Sequence, residues 1–129
     1  MLPLCREKGI GVIPYNPLAS GRLTRDWSSE STLRSKTDQI QKSKYDASVE
    51  MDRQVIERVA EIAEKLGASR ARIALAWLLQ KEPVTASIIG ATKIAYLEEA
   101  VGALEVKLSQ EDVAHLEEPY VPHRVVGHQ

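Results

Sequence analysis

Phenylalanine is absent from this sequence of 129 residues. Leu, Ile, Val and Ala must therefore fill the core, and the only large rings are Trp27, Trp77 and four tyrosines. Cysteine is nearly absent. The single Cys5 excludes an internal disulfide and fits a reducing cytosol. No histidine stands near Cys5 in sequence, which argues against a nucleophilic thiol. No apolar run approaches membrane-spanning length, and the N-terminus lacks the features of a signal peptide. Net charge is also lacking. A formal charge of −1 leaves no electrostatic footprint for nucleic acid or an acidic membrane. There are no internal repeats. His123 and His128 have no Cys or carboxylate beside them to complete a metal site, so no metal is expected.

What is present centres on residues 85–104, TASIIGATKIAYLEEAVGAL. Thr85 to Ile89 is apolar, rich in β-branched residues and too short for a helix, and Pro83 and Gly90 bracket it. A short buried strand is expected there. Thr92 is the expected N-cap of a following helix, whose buried face is read from Ile94, Leu97, Val101 and Leu104. A strand that enters a helix through a Gly turn aims backbone N–H groups at one point, which suits an anion such as phosphate. An ordinary βα connection without a ligand has the same local pattern.

The rest of the chain supports an α/β class. Residues 1–8 read as the last turns of a helix ended by Gly9, which gives the chain the look of a piece of something longer. Ile10 to Tyr15 reads as a second short strand, followed by a loop containing Pro17 and Gly21. Tyr15 at the strand end suits either stacking on a flat ring or capping the core. Residues 24–51 have no clean period and read as a long surface excursion, with a helical turn near residues 38–44. The part from Arg22 to Lys44 is mildly basic. Asp52 opens a helix with Val55, Val59, Ile62 and Leu66 inward and Glu61 paired with Lys65; Gly67 ends it. Ser69 caps a nearly all-apolar helix that reaches Lys81. Ser109 and Asp112 form a capping-box variant before a helix with Val113 and Leu116 inward, ended by Pro119; residues 119–129 are a tail. Two strands are too few for these helices, which points to part of a larger parallel fold or to self-association.

Three segments make the sequence specific. Residues 9–23, GIGVIPYNPLASGRL, resemble the seventh strand and following loop of the aldo-keto reductases. Residues 88–100, IIGATKIAYLEEA, resemble their eighth strand and adenosine-phosphate loop. Between them, residues 67–77, GASRARIALAW, look like the family's last-but-one helix. The style is nearest the bacterial branch that includes the potassium-channel β-subunit-like reductases. The resemblance covers almost the whole chain. It implies the C-terminal part of a (β/α)8 TIM barrel, strands seven and eight with their helices, as one partial domain over residues 1–129.

The resemblance also implies roles. The family reduces aldehydes and ketones by hydride transfer from NADPH, so NADP(H) is the implied cofactor, a small carbonyl compound the implied substrate, and the cytoplasm the implied location. Tyr15 stands where the family stacks a ring on the nicotinamide. Pro17, Leu18, Ser20, Gly21 and Arg22 fall in the loop that straps the pyrophosphate. Gly90, Thr92 and Lys93 match the loop around the adenosine 2′-phosphate, and Glu99 matches an acidic residue near the adenosine. Tyr96 stands where Arg or Gln is frequent, and Ala100 where Asn usually binds adenine, so NAD(H) remains open as an alternative to NADP(H). The family's catalytic Asp, Tyr, Lys and His come from earlier strands, and nothing here matches those segments. Alone, the chain is expected to be inactive, and neither Tyr45 nor Tyr120 has a pattern that recommends it as the acid. A non-catalytic dinucleotide-binding or self-associating piece, with a homo-oligomer as its form, is the other reading.

Overall fold

A computed structural model of the chain describes residues 1–25 and 49–122. The expected helical turn at 38–44 and the residues Trp27, Tyr45, His123 and His128 lie outside the described residues.

Local hydrogen-bond chemistry sets the helix ends. Helix α1 (Leu2–Glu7) stops at Gly9, whose φ is +64°. Ile10 N–H donates to the Cys5 carbonyl at 2.8 Å and Gly9 N–H to that of Arg6 at 3.2 Å, the pattern of a left-handed glycine terminus. Helix α2 (Val49–Leu66) ends the same way at Gly67, with φ +61° and Ala68 N–H on the Ala63 carbonyl at 3.0 Å. Helix α3 (Arg70–Leu79) begins at Ser69, whose hydroxyl accepts from Arg72 N–H at 3.3 Å. Helix α4 (Ile94–Gly102) runs into a short 3₁₀ turn, Ala103–Glu105. Helix α5 (Gln110–Glu117) opens with the full capping box: Asp112 N–H donates to Ser109 Oγ at 3.1 Å, and Ser109 N–H to Asp112 Oδ2 at 3.0 Å.

The core is helical. Val59, Ile62, Ile73, Ala76, Leu108 and Leu116 belong to one buried cluster, with Ile73 fully enclosed at 0 % exposure. Helix α2 starts at Val49 rather than Asp52, and its inward row is Ile56, Val59, Ile62 and Ala63. Val55 is half-buried and Leu66 exposed, because α3 and α5 both pack on α2 and select the row between them. The expected Glu61–Lys65 pairing within α2 gives way to contacts with α5. Lys65 reaches Asp112 at 2.7 Å, and Glu61 meets His115 at 2.6 Å as well as Arg58 at 3.3 Å.

The strands are slighter than the sequence suggests. Two isolated parallel bridges, Val12 with Val84 and Tyr15 with Ile88, stand where continuous strands are expected. Val12 N–H donates to the Pro83 carbonyl at 3.0 Å, Thr85 N–H to that of Val12 at 2.9 Å, and Ile88 N–H to that of Pro14 at 2.9 Å. The segment at 85–89 is not buried as expected: Thr85, Ala86 and Ile88 are exposed. A pleated segment turns alternate residues to opposite faces, and among the described residues no helix covers the face that carries Ile13 and Ile88. The apolar stripe of α4 is corrected too. Ile94, Leu97, Val101 and Leu104 are 77, 50, 57 and 69 % exposed. Helix α4 packs on α3 through its other side, where Arg72 meets Glu99 and Gly102.

Candidate functional site

The site follows from the parallel pairing. Tyr15 and Ile88 are bridged neighbours with their chains running the same way, so the loop after Tyr15 and the loop after Ile89 leave the same end of the pair. In parallel α/β folds ligands bind at that end.

The first loop holds an unusual backbone. Asn16, Ala19 and Ser20 have positive φ values of 56°, 48° and 59°, and Gly21 has 88°. Left-handed backbone at three residues that carry a Cβ is costly and persists only where neighbours hold it. Asn16 is the holder. Its Oδ1 accepts from Ser20 N–H at 2.9 Å, and its Nδ2 donates to Ser20 Oγ at 3.3 Å. Gly21 N–H then donates to the Leu18 carbonyl at 2.9 Å, and Thr24 Oγ1 to that of Gly21 at 2.9 Å. Leu23 packs against the helical core, and the turn Ala19–Thr24 touches α3 and α2. Pro17, Leu18, Ser20, Gly21 and Arg22 are therefore all half-buried in one folded loop. Tyr15 is 69 % exposed at its start, so it does not cap the core.

The second loop leads into α4. Its N-cap is Lys93 rather than Thr92, in extended conformation and without a side-chain cap. No acidic residue stands in the first turn. The helix thus presents the positive end of its dipole without an internal anion to offset it. Lys93 Nζ lies 5.8 Å from the centre of the Tyr96 ring, so these two site candidates meet through a cation–π contact. Gly90 and Thr92 are exposed, and a Cβ at Gly90 would enter open space.

Glu99 is held elsewhere. Ser69 Oγ donates to one carboxylate oxygen, and Arg72 Nη2 lies 2.9 Å from the other. The Ser69 hydrogen bond, opposed in part by burial and then reinforced by Arg72, lowers the pKa of Glu99. The structure thus joins Glu99 to α3, while Lys93 and Tyr96 stand together at the start of α4. Two residues with supporting roles were not singled out in the sequence. Asn16 braces the first loop, and its tolerance of left-handed backbone was the available signal. Arg72 orients Glu99, and no local pattern announces a contact between separate helices. Among the described residues no group of three or more metal-binding side chains occurs, and no helix is long and apolar enough to cross a membrane.

With this geometry established, relatives give the class. The Aldo/keto reductase family model matches residues 1–120, so the chain belongs to the aldo-keto reductase family. Versiconal hemiacetal acetate reductase of Aspergillus parasiticus is 42 % identical over 123 residues, which are 95 % of this chain and 36 % of that protein. A putative aryl-alcohol dehydrogenase of Schizosaccharomyces pombe is 41 % identical over 131 residues, covering 98 % of this chain and 35 % of the relative. A solved thermostable aldo-keto reductase, bound to the inhibitor epalrestat, superposes with a TM-score of 0.62 at 27 % identity. That match covers 92 % of this chain and 33 % of the other. The chain therefore spans about a third of the length of the relatives it matches. Both curated relatives are fungal, so the bacterial branch suggested by the motifs gains no support from them.

Proposed function

We propose that this chain is the cofactor-binding portion of an NADP(H)-dependent aldo-keto reductase, the C-terminal two βα units of a (β/α)8 barrel that reduces aldehydes or ketones by hydride transfer. The observation that carries the proposal is the shared exit of two loops from one end of a parallel pair, one braced by Asn16 and the other opening the uncapped α4. A dinucleotide carries phosphate at two places, and each loop suits one of them. In this reading the braced loop with Arg22 straps the pyrophosphate. Lys93 and the first N–H groups of α4 take the 2′-phosphate, and Tyr15 stacks on the nicotinamide. Lys93 supplies the cation that Tyr96 does not. The cofactor supplies the hydride. This chain's own residues bind and orient it, while the proton donor for the carbonyl belongs to segments that this sequence does not match.

Isothermal titration of the chain with NADPH and with NADH tests the proposal. Saturable NADPH binding, weakened about tenfold by Arg22→Ala or Lys93→Ala, is the expected result. NADPH and NADH binding equally would remove the role given to Lys93. A flat titration of a folded chain with both cofactors would leave the binding reading unsupported.

A further inference from the structure

Tyr96, Glu99 and Gly102 recur every third residue, so they share one row along α4 that leads back to Lys93 at its N-cap. Tyr96 N–H donates to the Lys93 carbonyl at 3.1 Å, and Lys93 Nζ sits over the Tyr96 ring. Further along the row, Arg72 of α3 closes on α4. Its Nη2 lies 2.9 Å from Glu99 Oε1, and a Cβ at Gly102 would come within 2.6 Å of its Cζ and 2.8 Å of its Nε. A residue without a Cβ at 102 is what admits the guanidinium there. Ser69 Oγ donates to the other oxygen of Glu99. The Nε of Arg72 is buried without a hydrogen-bond partner. A guanidinium that forgoes one hydrogen bond to reach Glu99 contributes chiefly its charge at this place.

That charge matters because of where Glu99 stands. At about 1.5 Å of rise per residue, Glu99 lies roughly 9 Å along α4 from Lys93. A charge is felt over ~10 Å at ordinary salt. The Ser69 hydrogen bond foremost holds the Glu99 pKa low, so the carboxylate is ionised at neutral pH. Uncompensated, it would oppose a phosphate at the start of the helix. We infer that Arg72 is a positioning residue for nucleotide choice: it holds Glu99 against α3 and cancels its charge, so that the start of α4 accepts an adenosine 2′-phosphate. The inference rests on the cofactor reading given above and adds a determinant on a neighbouring helix, outside both loops.

The test titrates the chain by calorimetry with adenosine 2′,5′-bisphosphate and with AMP, which differ by the 2′-phosphate alone. The ratio of the two affinities is the readout, because a loosened fold or a damaged adenine site weakens both ligands together. Arg72→Gln and Glu99→Gln break the same ion pair, so a merely structural pair moves the ratio the same way in both. Charge moves it in opposite ways. Arg72→Gln leaves the carboxylate uncompensated and should lower the preference for the bisphosphate roughly three- to tenfold. Glu99→Gln leaves the guanidinium uncompensated and should raise that preference. Arg72→Lys, which keeps the charge, should hold the ratio near that of the parent, and concentrated salt should erase the shifts. A ratio that falls in both Gln variants, or that Arg72→Gln does not move, overturns the inference and leaves the cofactor reading standing. A parent chain that binds the bisphosphate no more tightly than AMP removes the 2′-phosphate reading itself, and the inference with it.

Discussion

Lys65 Nζ lies 2.7 Å from Asp112 Oδ1, joining α2 to the first turn of α5 across 47 residues of sequence. Asp112 is buried, and its other oxygen accepts from Ser109 N–H and Ser109 Oγ. The Lys65 hydrogen bond, then those from Ser109, hold its pKa at about 2 against an ordinary 3.8. A depressed carboxylate stabilises the fold at pH values above its unfolded pKa, and that stability is lost as pH falls through the folded one. Urea unfolding should therefore show a loss that develops between roughly pH 4 and pH 2. Allowing for the solvent exposure of Lys65, the expected size is about 1 to 2 kcal/mol. Asp112→Asn should remove this part of the acid dependence and lower stability at neutral pH.

Gly11 stands tight against Thr85. A Cβ at Gly11 would come within 2.4 Å of Thr85 Oγ1 and 3.4 Å of its Cβ. The clash is with the Thr85 hydroxyl; the Thr85 Cβ, in ordinary van der Waals contact, stays in place because Thr85 N–H donates to the Val12 carbonyl at 2.9 Å. Gly11→Ala should cost about 1 to 2 kcal/mol in thermal unfolding, and adding Thr85→Ala should recover most of it.

Asn16→Ala removes the side-chain hydrogen bonds to Ser20 and places alanine at a φ of 56°. The loop should loosen while the core stays formed. NADPH affinity should fall about tenfold or more, against a stability change of only about 1 kcal/mol. Titration calorimetry and melting on the same sample read both quantities. An equal loss in each would show that the loop and the core unfold together.

Ile73 is wholly enclosed between α2 and the elements that follow it. Ile73→Val should cost about 1 kcal/mol and Ile73→Ala about 2 to 5 kcal/mol, read as a lower urea midpoint at unchanged slope.

The sequence was most legible where one residue's chemistry decides the local structure. Gly9 and Gly67 end helices because left-handed backbone is inexpensive for glycine, and Ser69 and Ser109 start them because a hydroxyl meets an orphan N–H. The motifs around Tyr15 and Lys93 led to the family, which the family model matched over residues 1–120 establishes. Less legible was everything that depends on what lies opposite. The period of Ile94, Leu97, Val101 and Leu104 shows an apolar face but not whether an element covers it. The β-branched residues at 85–89 announce a strand, yet a strand is completed by neighbours, and the described residues offer it one bridged partner. Lys65 had a helical neighbour at the right spacing and took a buried aspartate on another helix instead. Thr92 lost the cap to Lys93, a shift of one residue that propensity does not resolve.

Every buried apolar residue among the described ones lies in α2, α3, α5 or the chain from Ala103 to Leu108; none lies in the bridged segments or in the loops that leave them. Amides of those helices should exchange with solvent only when the whole molecule opens, while those at 12–15 and 84–88 should exchange through smaller openings. Inheritance can then act on the two parts separately. Residues at the loop end of the strand pair are free to drift, while the scaffold that carries them keeps its strength.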